Sequence, residues 1–549
     1  MKFQKKFIPI IVLITVSLLL FVSAGGQTGG TSAPSGPSTL SANDRLPSII
    51  KYPLVNAPKI TWWTPLSTHV SANYPTLSDS FFGKGLVERT GVPVEFIHPG
   101  QGMELEQFNL LIASGRLPDI VEYSWTNSYN GGADAAIRNQ VMLSLNSVMD
   151  NWCPDFKKFI ADNPSIDNGL KTDEGNYYGF PMIQIAERLA VTAGPFVRQD
   201  WLDELGLQRP ETIDELTSVL RAFKERKGAV APMALIGGNT LNNIFYQGSI
   251  VGAYRTHNNM FQENGKVSYG PALPAYKEAV RKMNEWYREG LLDQSFASGV
   301  QRDRDANILN SNSGVSFGMC SSSMDMLNRG FKDNNHPTAK LRAFRYPVLS
   351  KGERSMVGHR YYPVDMGSVS VVNPRGPNVE TAVKLLNYGY SQPGQFFYNY
   401  GMEGVSYNMI NGYPTMVPEI LNPSSGSVGA AWSRYARAPY NGPLNVHAEY
   451  HEQYLAAPEL DEALAIWRHQ DMQNHMIPPV SVTVEESRVY NRIKTDLDSY
   501  VLEWTVKAIT GTVNVEEFDT VYLRTVREIG VEQAVAIQQA AYNRFINRR

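Results

Sequence analysis

The chain has little cysteine. Cys153 and Cys320 are the two in 549 residues, and neither stands in a CxxC or other metal-ligand spacing, so no metal site is expected from them. They can form one disulfide, but thiols this far apart are read first as two buried, inert groups. The chain also lacks an excess of either charge: the formal net charge is −3 and charged residues make up 19% of the sequence, both signs dispersed. That excludes the basic field a nucleic-acid binder needs and the polybasic segment that holds a membrane surface. No P-loop, no dinucleotide-binding glycine fingerprint and no internal repeat occurs. No cofactor is expected.

What is present starts with an address. Lys2, Lys5 and Lys6 precede the apolar run Phe7–Val22, and Val22-Ser23-Ala24 has the small residues of a cleavage site. Residues 1–24 therefore read as a secretory signal peptide; the run falls short of the ~20 residues of a spanning helix. Gly25 stands where a lipoprotein carries its lipid-bearing cysteine. The expectation is an exported protein, periplasmic or associated with the cell surface, without a lipid anchor. Residues 25–57 open with GGQTGGTSAPSGPSTLSA and read as a flexible linker.

From residue 58 onward the pattern is α/β. Lys59–Thr64 and Val92–His98 are strand-like. Leu105, Phe108, Leu111 and Ile112 put one apolar face on a helix that Gly115 caps and Pro118 keeps from resuming. Asp119–Tyr123 is a buried strand, so strand, helix and strand alternate as in a doubly wound sheet. Its end opens into Tyr123, Ser124, Trp125, Thr126 and Asn127, at the kind of strand terminus where open sheets hold ligands. The turn Lys171–Asn176 lacks the oxygen spacing of a calcium loop. Thr212 and Glu215 have capping-box spacing. Helices are expected at Tyr276–Glu289 and, in a helix-rich end, over 487–509, 516–528 and 532–547. At this length two or more cores are needed.

Six segments in order, ASGRLPDIV (113–121), YYGFP (177–181), VRQDWLDELGLQRPETIDEL (197–216), YKEAVRKMNEWYREGLLD (276–293), GMEGVSYN (401–408) and 509–545, resemble the family 1 extracellular solute-binding proteins of bacterial ABC importers. The resemblance lies with their carbohydrate-type, large lipoprotein-like branch, similar in plan to maltodextrin- and alginate-binding proteins, and covers nearly all of 58–545. It implies two α/β lobes with a ligand cleft between them, crossed near 181–184, 313–316 and 363–367. The N-terminal lobe is then 58–182 with 315–364, and the C-terminal lobe 183–314 with 365–549. It further implies a monomer that closes on a carbohydrate, in the first instance an oligosaccharide, and is read by membrane permease subunits.

The candidate ligand contacts follow from that plan. Tyr123 matches a sugar-stacking aromatic of similar proteins, with Trp125 and Asn127 beside it. Of the adjacent Trp62 and Trp63, one must face each way, and Trp63 is the cleft candidate. Arg198 and Asp200 open a helix, where they serve a ligand or simply pair with each other. Asn239, Asn243 and Tyr246 follow a strand exit. Arg360 and Tyr361 precede a crossing; Glu403 and Tyr407, in GMEGVSYN, are implied by the resemblance alone, and Trp432 sits in a Gly/Ala/Ser-rich loop. For each of these, ordinary packing or a surface loop is the competing explanation.

Two enzyme readings also compete. Gly314–Gly318 fits the G-x-S-x-G elbow of a hydrolase with Ser316 as nucleophile, but no apolar strand precedes it. His447 and His451 stand at i, i+4 without the zincin order or an evident third ligand. The chain is therefore not expected to be an enzyme, and a signalling receptor stays as an alternative to transport.

Overall fold

The computed structural model describes residues 41–549 apart from 237–239, 246–247, 334–335, 425–426, 439, 456 and 549; the side chains of 127 and 333 also lie outside the described set. The expected signal peptide falls outside it as well.

Thirteen strands are described: β1 (Ile60–Trp63), β2 (Val94–Ile97), β3 (Ile120–Tyr123), β4 (Phe180–Ile183), β5 (Ala193–Arg198), β6 (Met260–Glu263), β7 (Lys266–Tyr269), β8 (Val315–Met319), β9 (Leu341–Ala343), β10 (Val364–Val372), β11 (Tyr407–Ile410), β12 (Tyr413–Met416) and β13 (Leu444–Asn445). Six of them form one sheet in the order β13-β4-β10-β3-β1-β2, and three form a second in the order β8-β5-β9. β1, β2 and β3 are parallel, as the alternation of strands and helices predicts; β10 runs antiparallel between β3 and β4.

Each sheet is covered on both faces. On β1, Trp62 points into a core with Phe82, Phe96, Phe180 and Trp432. Its neighbour Trp63 points the other way, against Phe108, Val121 and Trp125. On β5, Val197 faces a core with Trp201, Phe223, Trp286 and Trp504, while Phe196 faces Leu341 and Trp467. The C-terminal helices Val484–Thr510, Tyr522–Ile529 and Val531–Ile546 complete that second lobe. The local signals behave as read: Gly115, at φ +65°, caps helix Glu104–Ser114, and Thr212 with Glu215 forms a reciprocal capping box.

The expected lobe boundaries need correction. Residues 315–364 do not join the first lobe, because β8 and β9 both pair antiparallel with β5. The segment from 365 to about 450 does not join the second, because β10 and β13 pair in the six-stranded sheet. Crossings fall near 183–193 and 348–364, and the third lies near 450–458, where Tyr450 packs in the first lobe and Leu455 in the second. The expected crossing at 313–316 lies inside the second lobe. Apolar runs announce strands, but they do not name their partners, and this chain returns to its first sheet late.

The linker assignment also contracts. Residues 43–57 are strapped onto the first lobe: Arg89 grips Asp44 at 2.6 Å with both side chains buried, Asn43 donates to the Tyr407 hydroxyl at 3.0 Å, and the Leu54 N–H pairs with the Thr90 carbonyl at 2.8 Å. The thiols are free and buried, Cys153 in the first lobe and Cys320 in the second. Burial pushes each up to about 12, leaving them protonated and unreactive.

Candidate functional site

A cleft of about 930 Å³ opens where the crossings meet. Its walls come from the carboxyl end of β4 (Met182, Gln184), the chain just before β5 (Thr192), the end of β8 (Met319), the entry to β10 (Tyr361, Tyr362, Val364, Asp365, Met366), and Tyr440, Tyr450, His451 and Tyr454. Leaving β8, the chain makes a π-helical turn, Cys320–Asp325, which brings Ser321, Ser322 and Asp325 to the cleft. Such turns widen a helix at the cost of regular hydrogen bonding and often mark binding sites. The lining joins five tyrosines to hydroxyl, amide and carboxylate groups, with Met182, Met319, Met326 and Met366 as polarisable filler.

Asp365 owes its place to an irregularity. Register slips on β10 between Val364 and Val369, and a bulge re-aims side chains that regular alternation would bury. The Asp365 carboxylate accepts the Gly367 N–H at 2.7 Å, and burial, reinforced by the charge of Glu122, raises its pKa above the usual range. His451 is pushed down to about 4 by burial and by Arg188. Asp325 and Arg329 pair at 3.0 Å.

Behind the cleft lies a buried ion pair that sequence reasoning missed. Arg437 reaches Glu122 at 2.8 Å, and neither side chain is exposed to solvent. Trp62 Nε1 donates to Glu122 at 3.1 Å, and Ser368 and Ser370 donate at 3.0 Å each. The Arg437 guanidinium also lies 5.2 Å from the ring centre of Tyr440, which lines the cleft. The network ties β1, β3 and β10 to the Tyr440 loop. The lone acidic residue inside the apolar run Ile120-Val121-Glu122-Tyr123 was its signal.

Of the candidate contacts, the cleft contains Tyr361, which is 40% exposed and sits edge-on to His359 at 4.5 Å. Arg360 beside it is paired with Glu187 at 2.7 Å. The β3 terminus turns out to be core. Trp125 begins a short helix, Trp125–Ser128, instead of extending the strand, so period-two alternation stops and its ring turns inward. It is 0% exposed, and its indole N–H donates to the Val121 carbonyl at 3.2 Å. Trp63 is 5% exposed in the same cluster. Tyr123 is half-buried against Phe108 (4.8 Å) and Trp63 (5.7 Å). The side chain of Asn127 lies outside the described residues, as do Asn239 and Tyr246.

Arg198 and Asp200 pair with each other at 2.7 Å. Arg198 also donates to Ser311 and stacks on Trp201 and Phe331, which makes the pair a clasp inside the second lobe. Asn243 sits on helix Leu241–Phe245 away from the cleft lining. Glu403 and Tyr407 receive Asn43 and so hold the N-terminal strap. Trp432 is fully buried and donates to the Asn399 carbonyl at 2.8 Å. Arg198, Asp200, Glu403, Tyr407 and Trp432 thus have partners within the protein, and none of them lines the cleft.

Ser316 is fully buried in the middle of β8 and donates to the Ala234 carbonyl at 2.6 Å, so it occupies no nucleophile elbow. His447 contacts Gln395 at 3.1 Å. Among the described residues, no group of three His, Cys, Asp or Glu side chains is placed to hold a metal ion, and no helix is long and apolar enough to cross a membrane.

Known proteins share this architecture. A family model described as bacterial extracellular solute-binding protein matches residues 80–396. The fructooligosaccharide ABC transporter substrate-binding protein FusA of Streptococcus pneumoniae is 23% identical in an alignment covering 99% of both chains. Among solved structures, alginate-binding protein AlgQ2 without calcium ion is similar at a TM-score of 0.70, with 22% identity over 89% of this chain and 99% of that one. A solute-binding protein of Bifidobacterium longum infantis, described as binding HMO and associated with an ABC transporter, reaches 0.71, with 18% identity and the same coverage.

Proposed function

Because the chain belongs to the family of bacterial extracellular solute-binding proteins, we propose that it captures an oligosaccharide between its lobes and delivers it to the permease of an ABC importer. The observation that carries this reading is the cleft itself. About 930 Å³ is near the upper end of the roughly 300–1,000 Å³ range of ligand sites, ample for several sugar rings. Tyrosine faces cover the C–H faces of a pyranose or furanose, while Gln184, Thr192, Ser321, Ser322 and Asp365 exchange hydrogen bonds with its hydroxyls. FusA, a fructooligosaccharide ABC transporter substrate-binding protein, matches along 99% of both chains and supports the same class of ligand.

The crossings supply the mechanism. A solute touching both lobes binds the closed arrangement better than the open one and shifts the population toward it. Closure then presents a changed surface to the membrane subunits. The protein acts outside the cytoplasm, binds without turnover, and works as a monomer.

The test is calorimetric titration and thermal-shift screening of the purified chain against neutral and acidic mono- and oligosaccharides, with the ligand recovered afterwards. The expected outcome is saturable binding of an oligosaccharide that returns unchanged. Absence of binding to every sugar, or hydrolysis of the one that binds, defeats the reading.

A further inference from the structure

We propose that the cleft selects neutral oligosaccharides over those bearing uronate carboxylates, and that Asp365 sets this selectivity; the proposal rests on the carbohydrate reading above. Relatives of this fold do not decide the matter, since one is described as alginate-binding and another as a fructooligosaccharide transporter's substrate-binding protein. The charge inventory of the cleft does.

A site for polyanions needs cations free to meet them, ideally arginine forks that grip carboxylates two oxygens at a time. Among the described residues, the arginine of the lining and four others deeper or at its margin are already engaged by carboxylates. Arg329 pairs with Asp325 at 3.0 Å, Arg360 with Glu187 at 2.7 Å and Arg188 with Asp461 at 2.9 Å. Deeper, Arg437 is held by Glu122 at 2.8 Å and Arg548 by Asp173 at 2.7 Å. The imidazoles of His69 and His451 add nothing at neutral pH, because burial lowers both.

The charge left over is negative. Asp365 lines the cleft, forms no ion pair among the described residues, and has the Gly367 N–H as its hydrogen-bond donor. Its pKa is already raised by burial and by the field of Glu122, so the site bears existing negative charge poorly. A uronate brought alongside adds like-charge repulsion where solvent screening is weak. A neutral sugar instead offers hydroxyl donors, which a carboxylate accepts in short, charge-assisted bonds. The bulge that aims Asp365 into the cleft is thus the specificity device, and the tyrosines around it are indifferent to ligand charge.

The experiment titrates the full chain with kestose, raffinose and maltotriose, each beside the product of oxidising its primary hydroxyls to carboxylates. Oxidation is expected to weaken binding of whichever sugar binds by at least about 100-fold, since like-charge juxtaposition costs several kcal/mol. Added salt should shrink that ratio, an effect read on the unaltered protein. In Asp365→Asn, with an unchanged thermal midpoint, the ratio should fall by about tenfold or more. Equal or tighter binding of the oxidised sugars, or a ratio indifferent to both salt and Asp365→Asn, overturns the proposal. If no sugar of either kind binds, the carbohydrate reading itself has failed and this inference falls with it.

Discussion

Two aromatic clusters, one inside the first lobe and one at the crossings, invite comparison. At the end of β3, Trp63, Phe108, Tyr123 and Trp125 pack ring against ring, with centroids 4.8 to 6.3 Å apart. At the crossings, Tyr361, Tyr362, Tyr440, Tyr450 and Tyr454 line an open cleft. The first set has three large apolar rings, all buried, and one half-buried tyrosine that packs on two of them. The second consists of tyrosines held by backbone that passes between lobes, with hydroxyl, amide and carboxylate neighbours. Aromatic content alone therefore does not mark a sugar site. An unsatisfied face beside polar groups does, and it arises where two lobes meet and neither can cover the other's edge.

Mutations separate the two clusters. The largest effect is expected from Trp125→Ala: removing a fully buried indole costs about 3–5 kcal/mol of stability, read as a lower denaturant midpoint, while any protein that stays folded keeps its sugar affinity. Loss of affinity without loss of stability there would return Trp125 to the site.

Next comes acid. His359, at the edge of the cleft cluster, is buried and pushed down to about 4 from 6.5, and its Nδ1 lies 3.5 Å from the Thr192 N–H. Between those values the unfolded chain binds the proton that the folded one refuses. The contribution is therefore complete above pH 6.5 and is lost as pH falls toward 4, reaching about 3 kcal/mol. Urea unfolding from pH 7 to 4 should show this slope, and His359→Gln should flatten it.

Tyr123→Ala sharpens the comparison from the middle. A half-buried ring is expected to cost about 2 kcal/mol of stability and nothing in affinity. Smallest in energy is Tyr361→Ala, expected to weaken sugar binding about tenfold, or about 1.4 kcal/mol, with the thermal midpoint of the free protein unchanged. If Tyr123→Ala weakens binding and Tyr361→Ala does not, the two clusters have been assigned the wrong way round.

The helix caps, the doubly wound start and the family motifs were legible because they are local: a glycine after an apolar helix face, Thr212 three residues before Glu215, ASGRLPDIV ahead of a buried strand. The candidate site was far less so. Tyr361 was found through its position before a crossing. Trp125 was misplaced because nothing in its neighbourhood shows that β3 stops at Tyr123. Gln184, Ser321, Asp365 and Tyr440 come from four separate segments of the chain, and no spacing connects them. Arg198 illustrates a third situation: the surface-pair alternative named the right partner, Asp200, while the burial of that pair against Trp201 and Phe331 was invisible.

By itself the sequence determined the class of protein, because periodicity, caps and motif order act over a few residues each and survive without knowledge of contacts. Only the tertiary structure decided which lobe owns 315–364 and 365–450, which arginines are already neutralised, and which aromatics have a free face. Those are properties of pairs brought together from far along the chain. Burial and charge compensation belong to such pairs, and no single segment carries them.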